Sequence, residues 1–148
     1  TAAEAWHGHR QWLESDNSHS YDPRVAQRIR RGAAISAADY LDIRNERQRL
    51  ISVARERLGD ADAWLLPSVA VVPPKLADLA DDAAFFATNG LVLRNTSVLN
   101  FLDGCALSLP CQRGDELPVG LSIAGLHGQD DRVLQVSGAI EALLRENA

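Results

Sequence analysis

Two short apolar runs separated by a polar turn place the strongest constraint on how this chain can fold. The runs extend from Ala106 to Leu109 and from Val119 to Ala124, and the polar turn from Gln112 to Glu116 lies between them. Continuous apolar runs of this length, each closed by proline or glycine, are typical of buried strands. They predict neighbouring strands of a covered sheet. Asp103-Gly104 precedes the first run, and we expect a helix to stop there, with Gly104 at positive φ.

Helical patterns surround these strands. Asp22-Pro23 is a strong helix start, and Ser36 with Asp39 resembles a capping pair. Helices are predicted over residues 2–14, 22–32, 36–58, 81–94 and 97–102 and from Asp130 onward, the last with Val133, Leu134, Ile140, Leu143 and Leu144 facing the core.

A third strand is predicted from Ala63 to Leu66, closed by Pro67 and followed by an extended connection from Ser68 to Lys75. The strands are continuously apolar rather than alternating, which suits a sheet covered on both faces. The expected class is therefore α/β, with a mixed sheet flanked by helices on both faces, and residues 1–148 form a single domain or a fragment of one.

Composition excludes several function classes. The 148 residues are 46% hydrophobic and 24% charged, which is ordinary for a globular protein. A formal net charge of −5 argues against nucleic acid as a partner, and no apolar run approaches the roughly 20 residues of a membrane-spanning helix. Cys105 and Cys111 lie too far apart along an extended strand to pair, so we expect reduced thiols in a cytoplasmic protein. The chain begins at Thr1 and has no methionine, from which we expect a fragment or a processed product.

The segments NFLDGCALSLPC and LPVGLSIAG resemble the ending of amidase signature hydrolases, a family with the recurrent pattern N..G.PA.S.P......LPVG.Q..G. Ser122 stands where that pattern usually has glutamine. Upstream, YDPRVAQRIRRGAAISAADY is similar to the family's DP..R...G..ISA.DY segment. The residues that carry the C-terminal resemblance are Asn100, Gly104, Pro110, Pro118, Val119, Gly120 and Gly125.

The resemblance implies a hydrolase of carboxamide C–N bonds that works through an acyl-enzyme on a Ser, cis-Ser, Lys triad and needs no cofactor. Such a triad sits in a Gly/Ser-rich segment, because small residues let backbone N–H groups approach the developing oxyanion. This chain has no Ser-Ser or Gly-Gly pair, and Lys75 is its single lysine. We therefore expect the C-terminal portion of an amidase that carries no catalytic residue and is inactive alone.

Asn100 and Thr96 are the candidate substrate-pocket residues. In a complete enzyme they would line the pocket near the catalytic serines and contact a small-molecule amide. The structural alternative is that Asn100 lies at a buried helix end, where its amide ties the helix to the adjacent connection.

Two other function classes stay open at the level of sequence. The chain could be a non-catalytic interaction or oligomerisation module, in which another copy covers an exposed sheet edge. It could also be a cysteine hydrolase that pairs Cys111 with His127. A metal site is not expected, because His7 and His9 point to different sides of a helix and the paired aspartates suit helix starts.

Overall fold

The computed structural model describes residues 2–146. Two compact units divide after Gln48, a position within the third helix, and each is described by itself. The helices are α1 (Ala2–Leu13), α2 (Pro23–Arg30), α3 (Ala37–Leu58), α4 (Asp82–Phe101) and α5 (Asp130–Glu146), and the strands are β1 (Trp64–Pro67), β2 (Cys105–Pro110) and β3 (Gly120–Gly125). Short 3₁₀ turns span Asp16–Ser20, Arg31–Ala34 and Leu76–Leu79.

The first unit is helical, and its helices begin where the sequence predicts. The Asp22 carboxylate accepts the Arg24 backbone N–H at 2.8 Å at the start of α2. The Ser36 hydroxyl donates to Asp39 at 2.7 Å, and the Asp39 backbone N–H donates to the Ser36 Oγ at 3.1 Å. The predicted capping pair is therefore confirmed. The two hydrogen bonds that Ser36 donates also lower the pKa of Asp39.

The second unit is built on a three-stranded antiparallel sheet in the order β1-β3-β2. The prediction that the two apolar runs form neighbouring strands is confirmed, as is the α/β class, but the described residues show none of the parallel pairing expected of a mixed sheet. In the register, Ile123 lies between Leu65 and Leu107, and both pairings of β3 are antiparallel. Because neighbours across a ladder share a face, Ser108 and Ser122 project from the face opposite to that of Ile123.

Helices cover both faces of this sheet, as predicted. On one face, Ile123 is 0% exposed and packs with Leu109 and with Val133 of α5. The other face carries Trp64, which packs against Ala54 and Leu58 at the end of α3. On that face α4 also contacts β2.

Three local predictions were wrong. Helix α4 is continuous where two helices were expected, because neither proline nor glycine interrupts Arg94 to Ser97 and the Thr96 hydroxyl donates to the Leu93 carbonyl within the helix. Positive φ occurs at Asp103 (φ 60°) rather than at Gly104. On α5, Leu134 and Leu143 are exposed, because the face that packs on the sheet follows the spacing Val133, Val136, Ile140 and Leu144.

Candidate functional site

A small open cavity lies between α4 and the sheet in the second unit. Its volume is about 260 Å³, and it is lined by Ser68, Thr96, Leu99, Asn100, Gly104, Ala106, Ser108 and Ser122. None of these side chains carries a charge. The cavity brings together Thr96 and Asn100, the two candidate substrate-pocket residues.

Three serine hydroxyls meet on the sheet side of this cavity. Ser108 and Ser122 are register partners on β2 and β3, and Ser68 follows the last residue of β1. The Ser68 backbone N–H donates to the Gly120 carbonyl at 2.8 Å, which fixes its position beside β3. The Ser68 Oγ lies 2.5 Å from the Ser108 Oγ and 2.7 Å from the Ser122 Oγ. The three hydroxyls therefore form a continuous hydrogen-bonded chain.

Helix α4 supplies the opposite wall. Thr96 and Asn100 are four residues apart and so lie on one face of the helix. The helix is joined to the end of β1 by Asn95, whose Nδ2 donates to the Pro67 carbonyl at 2.7 Å. The expectation that Asn100 occupies a buried helix end is wrong, because Asn100 is exposed and the tie to the connection comes from Asn95.

The lack of a side chain at Gly120 leaves room for the Ser68 and Ser108 hydroxyls. A Cβ on Gly120 would lie 2.6 Å from the Ser108 Oγ and 2.7 Å from the Ser68 Oγ. Beside Gly120 lies a second, apolar pocket of about 450 Å³, formed by residues 69–74, Val92, Pro118 and Val119. The predicted extended connection thus forms one wall of a pocket next to the serine chain.

The alternative cysteine site is not assembled. Antiparallel pairing sets Cys105 opposite Gly125 and Pro110 opposite Gly120, so Cys111 and His127 lie beyond opposite ends of the β2–β3 ladder. Six residues of strand span about 20 Å, which is far beyond proton-transfer distance. Cys111 instead contacts the Val119 carbonyl at 3.6 Å, and His127 lies 3.5 Å from the Asp103 carboxylate.

The other candidate groups are dispersed. Lys75 is exposed and precedes the 3₁₀ turn at Leu76–Leu79. His9 contacts the Tyr21 hydroxyl at 2.8 Å. Within residues 2–146, no three side chains of the metal-ligating types form a group that could hold an ion. The same residues include no helix long and apolar enough to cross a membrane.

Comparison with known proteins decides the family. A sequence profile described as Amidase matches residues 4–134, which is most of the chain. The chain belongs to the Amidase family. A solved structure described as an amidase superposes on 95% of this amidase chain, with a TM-score of 0.76 and 28% sequence identity.

Two sequence relatives show how much of such a protein is present. A 2-amino-5-chloromuconic acid deaminase of Comamonas testosteroni is 32% identical over 124 residues, a match that covers 83% of this chain and 27% of that protein. An indoleacetamide hydrolase of Rhizobium radiobacter is 32% identical over 117 residues, covering 74% of this chain and 25% of that protein. The solved amidase is covered over 33% of its length. The amidase chain thus spans between 25% and 33% of the length of these three proteins.

The serine chain is the part of the site that the sequence analysis missed. Ser108 and Ser122 left a weak signal, because each is the one residue with a polar side chain in its apolar run and the two runs were predicted to be neighbouring strands. Ser68 gives no such signal, since it follows the last strand residue and its contact depends on how β1 pairs with β3.

Proposed function

We propose that the whole protein hydrolyses the C–N bond of a carboxamide through an acyl-enzyme intermediate, and that this chain supplies part of the substrate pocket. The observation that carries the proposal is the uncharged cavity with Thr96 and Asn100 on one wall, in a chain that matches the Amidase family over residues 4–134. The family's Ser, cis-Ser, Lys triad would lie outside this chain.

The chemistry divides between this chain, with part of the substrate pocket, and the part of the protein that would carry the triad. A serine oxygen attacks the amide carbonyl, the C–N bond breaks as the amine takes up a proton, and water then hydrolyses the acyl ester. Thr96 and Asn100 would orient the amide by hydrogen bonds. The apolar pocket beside Gly120 would receive an acyl group, since apolar walls with few polar groups favour such ligands.

One feature of the chain supports this division, and another bears on the compartment in which the enzyme works. Lys75, the single lysine, lies exposed outside both pockets. Cys105 and Cys111 are both free thiols, which suits a cytoplasmic enzyme. We therefore expect the 148-residue chain to be inactive alone.

Ammonia release from propionamide and indoleacetamide tests the proposal. The 148-residue chain should release none. A longer protein that includes the coding sequence preceding Thr1 should release ammonia and should contain a lysine followed by a Gly/Ser-rich segment. Robust hydrolysis by the 148-residue chain, or a longer protein with no such segment, would refute the division of labour.

A second candidate function is an interaction or oligomerisation module. It is favoured by apolar side chains left exposed in the second unit, with Leu65 of β1 at 58% and Val98 of α4 at 51%. Strand edges and apolar faces of this kind invite pairing with another chain or another copy. Light scattering across a concentration series discriminates, because a homo-oligomer predicts a mass that is a multiple of 16.1 kDa.

A further inference from the structure

The serine chain has a property that single hydroxyls lack. Ser68 has one hydroxyl hydrogen but two serine oxygen neighbours, at 2.5 Å and 2.7 Å, so at least one hydrogen bond must come from Ser108 or Ser122. If Ser122 donates to Ser68 and Ser68 donates to Ser108, the Ser108 O–H is left to donate into the cavity. If the direction is reversed, the Ser108 oxygen is left to accept.

The difference in burial makes Ser108 the accessible end of the serine chain. Ser122 is 5% exposed, whereas Ser108 is exposed and lines the cavity. Reversing the direction of the hydrogen bonds along the serine chain requires only rotation of the hydroxyl groups, which moves no heavy atom. Ser108 can therefore meet either a donor or an acceptor, and Asn100 offers both kinds of atom from the facing helix.

Charge sets the class of ligand. None of the eight residues that line the cavity is charged, so a charged ligand would find no counterion among them. A neutral group with an acceptor and a donor on the same carbon can bond to both walls at once. A primary carboxamide is the smallest common group of this kind.

We propose that the Ser122–Ser68–Ser108 hydroxyl chain and Asn100 bind the neutral carboxamide head of a ligand, and that Ser108 makes the direct contact. The choice of a carboxamide rests on the proposed function, whereas the requirement for a neutral group rests on the lining of the cavity alone. Gly120 is required for this binding site, because any Cβ there would clash with the hydroxyls of both Ser68 and Ser108.

The test compares three probes of similar size on the ¹⁵N-labelled 148-residue chain: propionamide, propionate and n-propylammonium. Propionamide should shift the backbone amide signals of Ser68, Thr96, Asn100 and Ser108 in a saturable way at millimolar concentration. The two charged probes should bind at least tenfold more weakly.

Serine variants test the named contact. Ser108→Ala should weaken propionamide binding about three- to tenfold, the range for one lost hydrogen bond. Ser137→Ala is the matched control, because Ser137 is buried on α5 and is not among the cavity-lining residues. If circular dichroism shows that Ser108→Ala does not fold, Asn100→Ala replaces it, because Asn100 is the other named contact and lies at an exposed helix position, and it should weaken binding over the same range.

Three outcomes would overturn the site: no saturable shift, equal binding of propionate, or unchanged affinity in both cavity variants.

Failure here is distinct from failure of the proposed function. If the longer protein hydrolyses amides while Ser108→Ala binds normally, the site assignment is wrong and the function stands. If the chain binds propionamide as described and the longer protein releases no ammonia, the function is wrong and the site stands.

Discussion

Asp103 and Gly104 share the turn that connects α4 to β2, and each meets a different requirement. Asp103 takes the left-handed conformation at φ 60°, which aspartate tolerates better than most residues. Gly104 is needed for space, because a Cβ there would lie 2.7 Å from the Gly125 carbonyl oxygen. The sequence showed that a turn occurs here, but the crowding depends on the antiparallel pairing of Cys105 with Gly125.

Gly104→Ala should therefore destabilise the chain by about 1–3 kcal/mol, because a backbone carbonyl in the ladder cannot move aside. Gly90→Ala is the matched control, since a Cβ at this position within α4 meets nothing within 4 Å. It should stabilise by about 0.5–1 kcal/mol through helix propensity. Urea unfolding midpoints give both values, and equal signs for the two variants would contradict the crowding argument.

Ser36 and Asp39 give a prediction about pH. Hydrogen bonds from Ser36 to the carboxylate lower the folded-state pKa of Asp39, so their stabilising effect is present above the unfolded pKa of Asp39. It is lost as the pH falls through the folded value. In Ser36→Ala, the pKa of Asp39 should rise toward its ordinary value, as measured by carboxyl NMR titration. Ser97→Ala, at an exposed position of α4, should leave the Asp39 titration unchanged, and an unchanged titration in Ser36→Ala would rule out the assigned cause.

Among whole elements, β3 has the largest role in the second unit because it pairs with both other strands. Ile123→Ala should destabilise the chain by about 2–5 kcal/mol, since the side chain is 0% exposed and packs with Leu109 and Val133. Leu134→Ala on α5 is the control, and it should stay within about 0.5 kcal/mol because Leu134 is 56% exposed. Thermal and urea unfolding measure both, and a large loss at Leu134 would show that this face of α5 is covered in solution.

The sequence predicted elements better than it predicted their connections and contacts. Apolar runs and caps located all three strands and the starts of α2 and α3, because those signals are local. The continuity of α4 was missed because polar Asn95 and Thr96 resemble a break, although Asn95 reaches Pro67 and Thr96 bonds within the helix. The serine chain was missed for a related reason: Ser68 and Ser122 are 54 positions apart and meet only through the pairing of β1 with β3.

At the scale of the whole molecule, the effect of replacing Lys75 distinguishes an active centre that lies partly outside this chain from one that lies wholly within it. Lys75 is exposed and lines neither cavity, so we expect it to make no contact with an amide held there. In a longer protein that hydrolyses amides as proposed, Lys75→Ala should leave kcat and KM within about twofold, as should the control Arg113→Ala, which removes another exposed cation. Alanine at the triad lysine, which the proposed function expects ahead of a Gly/Ser-rich segment, should instead lower kcat by several orders of magnitude, because removing a member of a catalytic triad costs about that much. Steady-state kinetics on the folded variants decides between these outcomes. A comparable loss in Lys75→Ala would place the catalytic base within residues 1–148 and overturn the view that this chain supplies only scaffold and pocket.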